Sequence, residues 1–599
     1  MPSFRMTFGW AAAVCLALPA RAQQAALPLK RPAQPTKAEI TADDLMSRLY
    51  VFSDDSMQGR QTGTDGHRKG TDYIAAEAQR MGLKPAGDNG TFFQAVPVFQ
   101  RALDASSTIT AGAATLKAMV DFVATPGQAD PKSLDGVSAI YGGVQGDTAS
   151  PLTADQARGR LVIFTAPADA GGRGGRGGRG GPPGGFAGRG GRGAGGVNPL
   201  AEAAGIAVIV GDKLTDQVLQ AASPRQGQAM FYRDPAAPTS AIAQAAQAPA
   251  LTLQVTAKAA EALLQMPATR EMKGMAGPGY IRTALKFTEK NVGARNVVGI
   301  VEGSDPTMKA EYVAIGGHSD HTGFTPGGAV DHDSLHVYNA ARYAIVGMVA
   351  RGQQQTDEQR AKVAAITVNL DSIRKARPAR ADSIRNGADD DGSGTVSVLE
   401  IAEYFAKMPQ AKRPKRSLLF VWHVGEENGL WGSRYVTDHS PVPRESIVAQ
   451  LNMDMVGRGE ASDLPVGNPD YVQLVGSHRL STELGDLVEK LNKDQRRPLK
   501  FDYQFDAPGH PENIYCRSDH YNYARYGIPI TFFTTGLHGD YHQVADEPQY
   551  IAYEHMARID RLVASVATSV ANQAKRPVVD GVKPDPTQAC TNNGAAIRP

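Results

Sequence analysis

From Asn296 onward, short and almost uninterrupted apolar runs alternate with longer runs whose apolar residues recur every three or four positions. The first pattern is that of strands buried on both faces and the second that of amphipathic helices, so the fold class expected is α/β. Expected strands are residues 296–301, 312–316, 418–422, 448–453 and 528–533, and expected helices include 396–408 and 553–571. The last of these places Met556, Ile559, Val563, Val566 and Val570 along one face.

With 599 residues the chain is too long for one core, and two or three domains are expected. A helical pattern begins at Ala42, and a second helix is expected over 71–81, with Gly82 at its C-terminal cap. From about Val120 to Leu285 charged residues thin out, and short strands are expected at 160–164 and 206–210. A Gly/Arg tract over 171–196 interrupts this region. Gly-rich chain gains little by packing, so the tract reads as a surface loop rather than an RNA-binding segment. With 63 basic against 61 acidic side chains, nothing in the charge balance calls for nucleic acid or an anionic membrane as partner.

At the N-terminus, Arg5, the apolar run from Phe8 to Leu18, and Ala20-Arg21-Ala22 before Gln23 read as a cleaved export signal over 1–22. The run is too short to stay in a bilayer as an anchor, and no later stretch is long and apolar enough to do so. A secreted or periplasmic location follows. In such an oxidising compartment Cys516 and Cys590 either pair or remain as two thiols.

Acidic and histidine residues stand at or just beyond the C-terminal ends of the expected strands, the edge where open α/β sheets bind ligands. Residues 312–316 run into Gly317-His318-Ser319-Asp320, 418–422 into His423-Val424-Gly425-Glu426-Glu427, and 448–453 into Asp454. Tyr541-His542 follows 528–533, and Gly387-Ala388-Asp389-Asp390-Asp391-Gly392 leads into a helix. A pair of divalent cations needs imidazoles, terminal carboxylates and one carboxylate shared between ions about 3.5–4 Å apart. A further carboxylate must accept the proton of an attacking water. The aspartate triplet also resembles the start of a calcium loop, but Thr395, Ser397 and Leu399 do not continue that ligand spacing.

The ordered set GGHSD (316–320), NGADDDGSG (386–394), GEENGLWGS (425–433), NMDMVG (452–457) and DYHQVADEP (540–548) resembles the co-catalytic zinc peptidases of metallopeptidase family 28. Met57-Gln58-Gly59-Arg60 and Gly82-Leu83-Lys84-Pro85 resemble that family's leading helices. The resemblance implies a mixed, mostly parallel sheet flanked by helices, a peptide or protein substrate, and two Zn2+, the second site being open to another divalent cation. It implies His318 and Asp454 as ligands of one ion, Glu427 and His542 of the other, and Asp390 as the bridge. It further implies Glu426 as general base and Asp320 as the carboxylate that orients His318. Tyr515 is matched to a tyrosine that hydrogen-bonds the tetrahedral intermediate, and Asp390-Asp391 to a cis peptide.

On the same basis the peptidase domain covers 42–119 and 286–574, after a linker over 23–41 and before a polar tail over 575–599. Residues 120–285 resemble an inserted, β-rich protease-associated domain. Residues 331–380 go beyond compact members as a helical insertion, with helices expected over 334–350 and 356–377. That insertion is either a wall or lid of the cleft or a peripheral decoration. His321, His332, His336, His423, His520 and His538 match no family role and read as structural or solvent-exposed. The activity implied is that of an aminopeptidase. Glutamate carboxypeptidase-like and glutaminyl cyclase-like enzymes, and a non-catalytic receptor-like protein, are the alternatives.

Overall fold

The computed structural model describes residues 27–125, 131–147, 151–167, 200–216, 218–219, 230–233, 250–325, 328–347, 355–376, 378–588 and 590. The expected export signal over 1–22 and the Gly/Arg tract over 171–196 lie outside them.

The main sheet is built on β1 (Arg295–Val301), β2 (Tyr312–His318), β3 (Ser417–His423), β4 (Ile447–Met453), β5 (Tyr471–Val475), β6 (Lys500–Asp502) and β7 (Ile530–Thr534). Their order across the sheet is β1-β3-β2-β4-β7-β5-β6, with the short strands Lys84–Pro85 and Phe93–Ala95 paired to β1. The four central strands β3, β2, β4 and β7 are parallel, whereas β1 and β5 join them antiparallel. The sheet is thus mixed and mostly parallel.

Parallel pairing aligns the strand ends at one edge: His318 lies opposite His423, and Met453 opposite Phe533. The chain leaves β2 toward β3 on one side and β4 toward β7 on the other. Strand order therefore reverses between β2 and β4, where an open α/β sheet has its crevice.

Every residue of β3 is buried because both faces of the sheet are covered. Leu418, Phe420 and Trp422 point to one core, Leu419 and Val421 to the other. The principal helices are α1 (Ala42–Phe52), α2 (Asp65–Met81), α3 (His332–Val346), α4 (Asp357–Ala364), α5 (Leu370–Ala376), α6 (Gly394–Ala406) and α7 (Tyr553–Asn572). The first core is closed by α1, α2, α6 and α7, the last through Met556, Ile559, Val563, Val566 and Val570. Thr64 caps α2 by accepting from the His67 N–H, and Gly82 ends it at φ 89°, donating to the carbonyls of Ala78 and Gln79. Such an N-cap contributes about 1 kcal/mol.

The helix expected over 356–377 is two helices. Thr356 opens α4 with a capping box, but Ile366-Thr367-Val368 is β-branched and ill suited to continue it. Asn369 then accepts from the Ser372 N–H at 3.1 Å and starts α5. The preceding helix, expected over 334–350, is seen as α3, and residues 348–350 lie outside the described ones.

Between α2 and β1 the chain forms a second sheet of eight strands. Its order is Ala114–Lys117, Thr108–Ala111, Ala276–Ala284, Ser138–Val144, Leu161–Thr165, Gly205–Ile209, Leu251–Val255 and Phe122–Thr125. It has a core of its own around Ile109, Phe122, Leu161, Ile163 and Leu253. Among the described residues no helix is long and apolar enough to cross a membrane.

Candidate metal centre

His318 closes β2, and both its main-chain N–H and its carbonyl are fixed. Its N–H donates to Asp391 Oδ2 (2.9 Å), its carbonyl accepts from Thr395 Oγ1 (2.6 Å), and the Thr395 carbonyl accepts from the Trp422 indole (3.1 Å). Only glycine fits at 317, since a Cβ there would stand 2.6 Å from Met453 O and 2.7 Å from Asp391 Oδ2. Held this way, His318 Nε2 lies 3.3 Å from Asp390 Oδ1, 3.7 Å from Asp454 Oδ1 and 4.0 Å from Glu426 Oε2. The other oxygen of Asp390, Oδ2, lies 3.0 Å from His542 Nε2, which is itself 2.9 Å from Glu427 Oε2. Asp390 thus shows one oxygen to each of two imidazole–carboxylate groups.

The loop carrying Asp390 is braced from below. The Asp546 carboxylate accepts from the N–H groups of Asp389 (3.0 Å) and Asp390 (3.1 Å). The buried Arg60 guanidinium donates to the carbonyls of Phe52, Asn386 and Gly387. The Asp390–Asp391 peptide is cis. Asp391 also lies within 4.8 Å of ligand atoms of His318 and Asp454. Its oxygens, however, accept from the N–H groups of His318, Gly394 and Met455. Asp390 is therefore the aspartate left available to a cation.

Asp320 differs from the sequence expectation. His318 Nδ1 meets the main-chain oxygen of Asp320 at 3.1 Å, and the carboxylate is 3.8 Å away, too far for a hydrogen bond. That carboxylate accepts instead from the N–H groups of Gly425 (2.8 Å) and Glu426 (3.3 Å) and from Thr62 Oγ1 (2.9 Å). It positions the turn after β3, where Gly425 takes φ 71° beneath the Trp431 ring. Ser518 Oγ donates to Asp454 Oδ2 at 2.7 Å and holds that side chain.

Tyr515 is not brought to the group. Its ring packs on His520 and Tyr521 beneath the Arg479 guanidinium. The tyrosine that lines the cleft with Asp390, Glu426 and Asp454 is Tyr541, stacked on His542 and accepting from Arg517 Nη2 at 3.3 Å. Sequence reading also missed His321, whose Nδ1 stands 2.9 Å from Glu427 Oε1 and 3.7 Å from Asp390 Oδ2. The available signal was its place one residue after Asp320 at the end of a strand. His423, by contrast, is core: it meets Gly317 O, Asp519 and the Tyr523 hydroxyl.

Packing these groups together perturbs their protonation. Burial pushes Glu426 well above the usual carboxylate range, opposed by the His318 imidazole and aided by Asp454 and Glu427. Burial would raise Asp390 too, but the His318 and His542 imidazoles beside it hold it well below that range. Burial opposes protonation of His542, yet Glu427 and Asp390 lift it to about 10. The cluster therefore gathers protons to offset its carboxylates, and a cation displaces such protons when it binds. Several converging atoms are buried without a hydrogen-bond partner: His318 Nε2, both ring nitrogens of His321, Asp390 Oδ2, Glu427 Oε1 and His542 Nε2. His321, Asp390, Glu427 and His542 have ligand atoms within 4.8 Å of one another. Imidazole nitrogens and carboxylate oxygens in this arrangement fit borderline divalent cations.

Residues 345–567 match the model of peptidase family M28. Over these residues the chain is similar to peptidase family M28. The matched residues include Asp390, Glu426, Glu427, Asp454 and His542, and His318 and His321 precede them. The chain is similar to leucine aminopeptidase 1 of Pyrenophora tritici-repentis, 27% identical over 196 residues, which cover 31% of this chain and 46% of the relative. It is also similar to leucine aminopeptidase 1 of Aspergillus clavatus, 25% identical over 256 residues, 41% of this chain and 61% of that one. The chain thus spans about half the length of these relatives. A zinc aminopeptidase from Bacillus subtilis of known structure is 14% identical, with 92% of this chain and 100% of that one covered at a TM-score of 0.45.

Proposed function

We propose that this chain is an exported zinc aminopeptidase in which His318 and Asp454 would hold one ion, Glu427 and His542 a second, and Asp390 would be shared between them. The observation that carries the reading is the placement of the two Asp390 oxygens, 3.3 Å from His318 and 3.0 Å from His542. Ions bound there would supply Lewis acidity toward a carbonyl and a water. Glu426 lines the cleft with Asp390 and Asp454. It accepts the proton of the attacking water and hands it to the leaving amine. The Tyr541 hydroxyl, taking a hydrogen bond from Arg517, donates a hydrogen bond toward the developing oxyanion and keeps its proton.

Met455, Phe505, Ile514, Phe532 and Leu537 wall the cleft and suit an uncharged apolar substrate side chain. A glutamate-releasing carboxypeptidase would need a basic group for the substrate carboxylate. Arg517 lines the cleft, but its Nη1 is bound to Glu512 at 2.8 Å, which favours the aminopeptidase. The disulfide between Cys516 and Cys590 supports export to an oxidising compartment. We read the second sheet as a protease-associated unit that restricts access to the cleft.

Metal analysis, chelation and rescue test this function. The purified protein is expected to contain zinc, to lose free-amine peptide hydrolysis on chelation and to regain it with zinc. Hydrolysis of N-blocked peptides in preference to free-amine ones, or activity indifferent to chelation, would refute the reading.

A further inference from the structure

A second acidic cluster lies outside the M28 ligand set. Asp55 follows α1, Asp382 sits on the short strand Ala381–Asp382 that closes the helical insertion, and Glu547 stands five residues beyond His542. Carboxylate oxygens of all three lie within 4.8 Å of one another, the spread that oxygens 2.3–2.6 Å from a shared cation would have. They line a cavity of about 600 Å³. Among the described residues no lysine or arginine pairs with any of the three: Lys30 at the rim faces Asp54, Arg31 binds Asp43, and Arg380 binds Asp333.

Two buried side chains stand beside the cluster with polar atoms unpaired. His332 is 1% exposed, and Arg380 donates to its Nδ1 at 2.8 Å, so its proton sits on Nε2. That Nε2 points at Glu547 Oε1 from 3.6 Å and has no hydrogen-bond partner. Asn386 is 2% exposed and donates from Nδ2 to Asp55 (2.8 Å) and Glu547 (2.9 Å), leaving its own Oδ1 without a partner. The Asn386 amide thus reaches two of the three carboxylates and the Ile384 N–H the third, with no cationic side chain among the described residues to offset their mutual repulsion.

We propose that Asp55, Asp382 and Glu547 form a separate binding site for a hard divalent cation of the calcium type. Their ligand atoms are all oxygens, and the cavity leaves room for waters to complete the six to eight ligands such a cation takes. Asn386 adds Oδ1 when its amide turns over, and the His332 N–H supports Glu547 from outside, as outer donors orient ligating carboxylates. The cation fastens three segments together: the turn after α1, the end of the insertion, and the loop following His542. Asn386 is also four residues ahead of Asp390, so the same staple steadies the loop that carries the bridging carboxylate.

The test is tyrosine-sensitised terbium luminescence on the full-length, zinc-loaded protein, because Tyr50 lines the same cavity. Terbium is expected to give a saturable signal that calcium displaces, and calcium is expected to raise the unfolding midpoint. Asp55→Asn combined with Asp382→Asn should weaken terbium binding at least about tenfold and abolish the calcium shift. Asp55 is exposed and Asp382 half-buried, and asparagine at 382 can still accept from the Ile384 N–H, so the variant keeps its fold. Terbium affinity unchanged in the double variant, or a native midpoint indifferent to calcium, overturns the proposal. Zinc content, measured alongside, reports separately on the aminopeptidase reading.

Discussion

Glu426 is the carboxylate for which the cluster supplies no strong cationic partner, its nearest imidazole nitrogen being 4.0 Å away. Glu426→Gln preserves shape and removes only the capacity to take a proton. Turnover is expected to fall by about 10²–10⁴-fold while metal content stays at the native level. Near-native turnover in that variant would remove Glu426 from the role of base. The two tyrosines offer a paired measurement: Tyr541→Phe should lower kcat by roughly 10-fold or more, since it deletes a donor aimed into the cleft. Tyr515→Phe should leave kcat unchanged, since Tyr515 lies between His520, Tyr521 and Arg479. Sequence could single out His318, Asp390, Glu426, Glu427, Asp454 and His542 because each belongs to a short motif at a strand end or helix start. It could not choose between Tyr515 and Tyr541, because that choice depends on how the loop after β7 folds back over the sheet. Nor could it see that Asp320 turns its carboxylate toward Gly425 and Glu426, a preference created by two N–H groups 105 and 106 positions away.

At the scale of elements, strand positions were legible because burial on both faces leaves a continuous apolar signature, and each expected central strand differs from the observed one by one or two residues at its ends. What α3 touches was not legible, since those contacts are long-range. His336 Nδ1 lies 2.6 Å from Asp540 Oδ2, Asn339 Nδ2 donates to Asp540 Oδ1 at 3.0 Å, and the Tyr343 hydroxyl donates to Leu537 O at 2.7 Å. Asp540 precedes His542 by two residues, and Leu537 walls the cleft. The helix therefore grips the loop that presents an expected ligand. Asn339→Ala leaves a buried carboxylate oxygen short of a donor, a loss of about 1–3 kcal/mol. The expected outcome is a lower unfolding midpoint, faster release of metal to a chelator and a raised KM. Release rate and KM both at native values would make the insertion a peripheral decoration.

Across the whole molecule, the N-terminal segment, α1, α2 and α6 meet at one buried guanidinium. Arg48 donates to Glu400 Oε2 (3.1 Å) and Glu77 Oε2 (2.6 Å) and also to Glu403, while Thr36 and Arg80 bind Glu403 as well. Burial pushes the Glu400 carboxyl from the usual 4.5 up to about 7, only partly opposed by Arg48. A carboxyl whose folded pKa is raised keeps its proton longer in the folded state than in the unfolded chain. Its contribution to stability is fully present below about pH 4.5 and is lost as pH rises through about 7. Glu400→Gln stays neutral throughout; its one amide oxygen keeps either the Thr41 N–H or the Arg48 donor, and loss of the other is an offset that does not depend on pH. The unfolding midpoint of the variant relative to the native protein is thus expected to climb by a few degrees between pH 4.5 and 7 and to level off above. Because the comparison is a difference at each pH, the titrations of the metal centre cancel from it. A flat difference across that window would mean that Arg48 keeps Glu400 ionised, and the network would then be a standing ion pair with no proton linkage.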